Sequence, residues 1–283
     1  MSGSSAADLR EDLQRIAKPI GGRVGVSAVL IESGEHVALH GDQAFFMASV
    51  VKFPVALRVL QLVDEGKLRL DQKVALQKSD IVRGSTVLGV DVKPGTEYAI
   101  RDLLNYMIGA SDNTSCDLLM GLSGGPQATM ARVQALGIQG IRIDRGEKQM
   151  AAESARSHAK FLKDPRDTST PDAMAALLAK FQAGEALKPA STALLREMME
   201  KSALTSRLQA LLPPGTVVAH KTGSWRDAAT NDVGIITLPG GTKHIAIAVF
   251  TNRSKRDLPA VEHTIAVIAR AVYDHWSGAA ATP

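Results

Sequence analysis

Apolar residues recur along this chain with two different periods, and the change of period divides it. Leu9, Leu13, Ile16 and Ile20 fall three or four apart, which predicts an amphipathic first helix. From Arg23 to His40 the pattern turns strand-like: Val24–Ile31 and His36–Leu39 flank Glu32-Ser-Gly-Glu35, which reads as the turn of a hairpin. Two more strands are predicted near the other end, Val233–Leu238 and His244–Thr251, joined at Pro239-Gly-Gly241, with a further short one over Thr216–Ala219. A last helix carries Val261, Ile265, Ile268, Val272 and Trp276 on one face. The middle, from about Ala44 to Leu195, reads almost entirely as helix and loop.

Strands at both ends with helices between them predict an α/β (α+β) fold, an antiparallel sheet built from both termini and flanked by helices, with one helical lobe inserted. The expected division is residues 1–43 plus 196–283 for the sheet lobe and 44–195 for the helical lobe, with a cleft between them. No internal repeat is present. The longest apolar run, Phe45–Val63, is interrupted by Lys52, Pro54 and Arg58, so it reads as a buried helix and not a membrane span. Met1-Ser-Gly-Ser-Ser5 lacks the basic and apolar regions of a secretory leader and reads as a scar on a trimmed chain. The stretch Gly278–Pro283 reads as a loose tail.

Composition excludes several classes. With 283 residues, 45% hydrophobic and 22% charged, the chain is neither fibrous nor collagenous nor wholly disordered. Cys116 stands alone, which excludes an internal disulfide and a thiolate metal cluster. The net charge of +4 comes from 33 cations and 29 anions without a polybasic tract, so attraction to small anions is expected rather than nucleic-acid binding. His36 and His40 are expected on one solvated strand face, not around a metal.

Three short motifs carry candidate chemistry. Ser49-Val-Val-Lys52 opens the buried helix, and the three-residue offset puts the hydroxyl and the ammonium on one helical face. Lys52, buried there, is expected to have a lowered pKa and to accept a proton from the serine or activate it through its field. The pattern alone is expected about once by chance in a chain this long, and a helix cap plus a snorkelling lysine is the simpler explanation. Ser111-Asp112-Asn113 follows the apolar stretch Leu103–Ile108 and reads alone as a helix cap. Lys221-Thr222-Gly223 follows a predicted strand and reads alone as a strand end. What matters is their occurrence together, in this order, each on the element its chemistry needs.

In that combination the chain resembles a class A serine β-lactamase of the penicillin-recognising serine hydrolase superfamily. The resemblance extends from the first hairpin to the last helix and includes Asp144-Arg-Gly-Glu147, Arg166-Asp-Thr-Ser-Thr-Pro171 and Thr230-Asn-Asp232. It implies the same sheet-plus-helical-insertion fold. It also implies that Ser49 is the nucleophile acylated by a β-lactam, that Lys52 assists its deprotonation, and that Ser111 relays a proton to the lactam nitrogen. Asn113 would hydrogen-bond the acyl side chain, Lys221 and Thr222 would hold the substrate carboxylate, and the backbone N–H groups of Ser49 and Ser224 would form the oxyanion hole. Glu147 would activate the deacylating water; Asp112 would be structural. No metal or cofactor is implied. A periplasmic or secreted, monomeric enzyme is.

The sequence departs from the family pattern in several places. Where the family reads Glu-x-x-Leu-Asn, this chain has Glu147-Lys-Gln-Met-Ala151, and alanine cannot hold a water. The segment from Glu147 to Asp167 is about seven residues longer than usual, and long loops favour several conformations. Glu153 is a second carboxylate in it, though a poorer match to the Asp-Arg-x-Glu pattern. Asp117 replaces an asparagine, so it and Asp167 are expected to face each other, one of them protonated or paired with Arg145. Ser79–Val92 lacks the aromatic that commonly walls the cleft, leaving Trp225 as either the wall or a half-buried strand end. Arg207 and Arg256 are candidates for a second carboxylate-binding cation, with a plain surface arginine as the simpler reading of each. Cys116 reads as a small core residue. Two other functions stay open: a penicillin-binding or sensor protein that acylates and deacylates slowly, and another amidohydrolase of the superfamily.

Overall fold

The computed structural model describes residues 5–278; most of the expected scar and of the tail lies outside them. Ser5, grouped with the scar by sequence, caps the first helix, its hydroxyl accepting from the Asp8 N–H while the Asp8 carboxylate accepts from the Ser5 N–H. Along the chain come α1 (Ala6–Ala17), β1 (Arg23–Leu30), β2 (Glu35–Leu39), β3 (Phe45–Phe46), α2 (Lys52–Asp64), β4 (Lys73–Ala75) and β5 (Glu97–Ala99). Then follow α3 (Ile100–Gly109), α4 (Asn113–Leu122), α5 (Gly125–Ala135), β6 (Ile141–Arg142), α6 (Glu147–Arg156), α7 (His158–Phe161), β7 (Thr168–Ser169), α8 (Pro171–Gln182) and α9 (Pro189–Glu200). The chain closes with β8 (Val218–Trp225), β9 (Ala229–Thr237), β10 (His244–Asn252) and α10 (Leu258–Ser277).

The principal sheet is antiparallel, in the order β2-β1-β10-β9-β8, so strands from the two ends of the chain meet at the β1–β10 pair. Each face of the sheet has its own apolar core. On one, Val26, Ala28, Ile236, Ile247 and Val249 pack beneath α1 and α10. On the other, Ala219, Val233, Ile235, Ala246, Ala248 and Phe250 join the side chains of α2, α3, α4, α8 and α9. Phe53, Val55, Ala56, Leu57, Val59 and Leu60 of α2 are all buried, as a helix apolar on every side requires. At roughly 1.5–3 kcal/mol for each large buried aliphatic or aromatic side chain, α2 is a principal source of stability and a fixed base for what its N-terminus carries. Among the described residues no helix is long and apolar enough to cross a membrane.

Several expectations shift. The strand expected over Thr216–Ala219 begins at Val218 and runs on to Trp225, and β9 begins at Ala229, before Val233. Both extensions are polar because Lys221, Thr222, Asn231 and Asp232 occupy them, which hides the strand period. Five short strands interrupt the middle region, too brief for any periodicity to register. The segment expected to be a long loop after Glu147 is helical, as α6 and α7. His40 lies one residue past β2 with φ +50° and its Nδ1 donates to the Val24 carbonyl, whereas His36 contacts Ser27 and Asp172, so only His36 belongs to the strand.

Candidate active site

Ser49 lies on a 3₁₀ turn, Ala48–Val51, that feeds directly into α2. The turn is clamped from three sides. Asn231 on β9 donates to the Phe46 and Met47 carbonyls at 2.9 and 3.0 Å, Asn252 on β10 accepts the Phe46 N–H at 2.9 Å, and the Met47 N–H donates to the Asp167 carbonyl at 3.0 Å. Ala48 is held at φ +48°, a left-handed conformation that costs about 1–3 kcal/mol outside glycine. The third residue of the Lys-Thr-Gly motif explains itself here. A Cβ on Gly223 would lie 2.6 Å from the Met47 carbonyl oxygen and 2.9 Å from the Val50 nitrogen. Only glycine lets β8 approach the Ser49 turn so closely. Gly223→Ala is therefore expected to destabilise by about 1–3 kcal/mol and to cut turnover by roughly tenfold or more, since about 1 Å of displacement near reacting groups can cost 10²-fold; thermal melts and steady-state kinetics check both.

Lys52 is fully buried, yet its ammonium meets oxygens and not hydrocarbon. Nζ lies 2.9 Å from Ser49 Oγ, 2.7 Å from the Ser111 carbonyl, 3.3 Å from Ser111 Oγ and 2.6 Å from Asn113 Oδ1. It is also 3.2 Å from Glu147 Oε1. Three protons thus face four hydrogen-bonding oxygens, with the Glu147 carboxylate within ion-pair distance, an arrangement suited to a proton relay. Ser111 presents both its carbonyl and its hydroxyl to this centre because its backbone is left-handed, φ +59°. Asp112 is structural: Oδ1 caps α4 through the Ser115 N–H at 2.8 Å, and Oδ2 takes the N–H groups of Val87 and Leu88.

Across the cleft, Lys221 Nζ donates to Ser111 Oγ at 2.9 Å and to the Thr222 carbonyl at 2.8 Å. Burial first, and then the nearby Lys52 cation, pull its pKa from the usual lysine range down to about 7. Thr222, the next residue of β8, is buried opposite Asp232 of β9, and Ser224 is exposed at the strand's outer end. Arg207 is not a surface arginine. It is buried, donating to the Gly223 and Asn231 carbonyls at 3.2 and 2.7 Å and to Ser224 Oγ at 2.6 Å, while Glu262 of α10 takes its Nε at 3.2 Å. Arg256 remains exposed, lining a cavity of about 460 Å³ that adjoins Ser224–Asp227. A second cavity of about 600 Å³ is lined by Asn113, Glu147, Ala151, Ser224 and Trp225. Of the eight site residues expected from sequence, Ser49, Lys52, Ser111, Asn113, Glu147, Lys221 and Ser224 gather at one cleft, and Thr222 meets it through its backbone carbonyl, which accepts from Lys221 Nζ.

The match to the β-lactamase enzyme family spans residues 8–276. The chain belongs to that family. It is 35% identical to the extended-spectrum β-lactamase PER-1 of Pseudomonas aeruginosa, over 94% of this chain and 86% of the relative. It is similar to the solved TLA-3 extended-spectrum β-lactamase at a TM-score of 0.89 and 32% identity, covering 96% of this chain and 100% of the other. An ancestral class A β-lactamase structure matches at a TM-score of 0.84 and 35% identity, over 93% and 98%. Within the family the chain is a class A member.

Against that family pattern, the departures acquire physical form. Asp117 and Asp167 have separate partners. Asp117 accepts the backbone N–H groups of Glu147 and Lys148 at 2.6 and 2.9 Å, so a carboxylate on α4 caps α6, whose own N-cap, Gly146, has no side chain to do so. A Cβ at Gly146 would lie 2.7 Å from Asp117 Oδ1, which is why glycine stands there. Burial pushes the Asp117 carboxyl up from its usual range, opposed by those two N–H donors. Asp167 instead takes the Asp144 and Arg145 N–H groups on Oδ1 and Arg145 Nε on Oδ2 at 2.5 Å.

Glu153 points away from the cleft into Arg145 and Arg166, both at 2.6 Å, and so is no rival to Glu147. Trp225 is both half-buried and on the cavity wall: its ring stacks on Phe161 of α7 at 4.9 Å and meets Phe46 edge-on at 5.9 Å. This trio joins the added helical segment to β3 and β8. Phe161 had no sequence signal, because an isolated Phe in a short polar segment matches no periodicity. Arg207 had only its proximity in sequence to β8.

Proposed function

We propose that this protein is a serine β-lactamase that opens the lactam amide of penicillins and cephalosporins through an acyl-enzyme on Ser49. The convergence of Ser49 Oγ, Ser111 Oγ and Glu147 Oε1 on one buried Lys52 Nζ supports this reading more than any other observation. Ser49 Oγ attacks the lactam carbonyl carbon, Lys52 easing the loss of its proton. The oxyanion is taken by the N–H groups of Ser49 and Ser224. The C–N bond breaks as the proton reaches the lactam nitrogen through Ser111, leaving an ester on Ser49. Lys221 and Thr222 hold the substrate carboxylate and Asn113 the acyl side chain. In the second half, water gives a proton to Glu147 and its oxygen attacks the ester carbonyl; the ester C–O bond breaks and Ser49 Oγ is reprotonated. The chemistry calls on no metal or cofactor.

The same reading divides the chain into a sheet lobe, residues 1–43 and 196–283, and a helical lobe, residues 44–195, with the site at their seam. It also makes the protein a monomer, periplasmic or secreted, acting on a small molecule. A slow-deacylating penicillin binder is favoured by one residue, Ala151, which lines the cleft where the family's water-holding asparagine would be. Mixing the protein with a chromogenic cephalosporin separates the two. Sustained turnover, lost in Ser49→Ala, is expected; a single stoichiometric burst with a lasting adduct would establish the binder, and the absence of both would overturn either reading.

Lys221 makes the reading pH-sensitive. Its pKa in the fold, about 7, lies below the ordinary lysine value of 10.5, so the cation is complete only below pH 7 and is lost as pH rises through it. A lactam carboxylate needs the cation. The kcat/KM for a carboxylate-bearing lactam, which reports the free enzyme, is therefore expected to fall above about pH 7, whereas that of the corresponding ester is expected not to follow it.

A further inference from the structure

Lys221 has a peculiarity that its own contacts do not explain. Both of its hydrogen-bond acceptors, Ser111 Oγ and the Thr222 carbonyl, are neutral. Glu147, a carboxylate that lines the cleft, is already 3.2 Å from Lys52. A buried cation with neutral partners and a second cation nearby needs a countercharge from elsewhere.

The other face of the sheet supplies one. Along β8 alternate residues point to opposite faces: Val218 packs toward α1 and α10, and Ala219 toward the helical side. Lys221 follows Ala219 toward the helical side, and His220 follows Val218. Asp232, opposite Thr222 on β9, shares the face of Ile236 and so lies with His220. The two side chains are buried, with His220 Nδ1 3.0 and 2.9 Å from the two Asp232 oxygens. The Leu208 N–H donates to Asp232 Oδ2 at 3.2 Å. Directly opposite His220 stands Gly234, where a Cβ would lie 2.5 Å from the Ala219 carbonyl oxygen and 2.6 Å from His220 Cβ, so β8 and β9 approach closely at this pair. The far nitrogen, Nε2, is buried without a hydrogen-bond partner. An imidazole that leaves one nitrogen unsatisfied in order to point the other at a carboxylate is there for the carboxylate.

We propose that Asp232 is the countercharge that keeps Lys221 cationic through the sheet, and that His220 is the positioning residue that orients this carboxylate and solvates its charge. The proposal rests on the reading of Lys221 as the holder of the substrate carboxylate. Lys52 of α2 and Arg207, from the segment before β8, oppose the charge of Lys221, while Asp232 of β9 and Glu147 of α6 favour it. Glu262 of α10 ion-pairs with Arg207 at 3.2 Å, which moderates the second opponent. With Glu147 shared with Lys52, Asp232 is the remaining anion of the set. Beside it, among the described residues, stand the Leu208 N–H and the His220 imidazole.

The experiment reads Lys221 itself. ¹⁵N-resolved NMR titration of the Lys221 side chain, without any lactam, is run on the wild type, Asp232→Asn, His220→Ala and His220→Asn, each checked for folding by thermal melt. The Lys221 midpoint is expected to drop by about one pH unit or more in Asp232→Asn, to drop by less in His220→Ala, and to be largely restored in His220→Asn, whose amide N–H can still reach the carboxylate. At pH 7 this corresponds to a several-fold loss of kcat/KM for a carboxylate-bearing cephalosporin, carried by KM, with a smaller loss for its ester. A midpoint unchanged in folded Asp232→Asn overturns the proposal, as does an equal loss for acid and ester; if Asp232→Asn does not fold, the two His220 variants decide by the same criterion. Failure of the β-lactamase reading is seen separately, as no acylation of wild-type Ser49 while the titration proceeds unchanged.

Discussion

Glu147→Gln is expected to acylate on Ser49 and then stop. Intact mass spectrometry after mixing with a cephalosporin should show a persistent adduct, and steady-state turnover should fall by about 10²–10⁴-fold, the usual range for loss of a general base. The substitution keeps volume and shape, so the backbone lock from Asp117 onto the Glu147 N–H survives, and only the proton acceptor is lost. No other carboxylate of the segment can substitute. Glu153 is engaged by Arg145 and Arg166, and Asp164 by Arg166 and Arg145. Unchanged turnover would mean that deacylation uses a different base.

The second large effect is on stability. Arg145→Met should destabilise the protein by about 3–5 kcal/mol, the range for removing one partner of a buried ion pair. Arg145 is almost wholly buried, with Nε 2.5 Å from Asp167, Nη1 2.6 Å from Glu153 and the guanidinium 5.2 Å from the Phe161 ring. Methionine fills much of the space but leaves Asp167, itself 1% exposed, without its cation. Because the Asp167 carbonyl also holds the Met47 N–H beside Ser49, activity should fall with stability; a denaturant titration and an activity assay on the same preparation check both. Acid adds a second signature. Hydrogen bonds from Arg166 hold Asp164 at about 2, below its ordinary 3.8, so its contribution to stability is complete above that ordinary value and is lost as pH falls through about 2.

The candidate reacting groups are local in the sequence; the side chains that support them are not. Ser49 with Lys52, Ser111 with Asn113, and Lys221 with Thr222 were legible because each pair is local, and because their order along the chain is itself a signal. The outer strands, the first helix and the last were legible because burial on one face imposes a period. Where polar residues occupy strand positions for the sake of the site, as at Lys221 and Asp232, that period vanished and the strands were underestimated.

What the sequence alone determined about this protein is a set of candidate reacting groups and the class of fold that presents them. The tertiary structure alone decided which of their neighbours matter: that Asp117 caps α6 while Asp167 pairs with Arg145, that Arg207 braces β8 from behind, that Trp225 stacks on Phe161, and that His220 and Asp232 lie beneath Lys221. The reason is physical. A period or a motif reports contacts within a few residues, whereas these partners are separated by up to 64 positions, as Phe161 is from Trp225, and only the folded chain removes the water that would otherwise screen them.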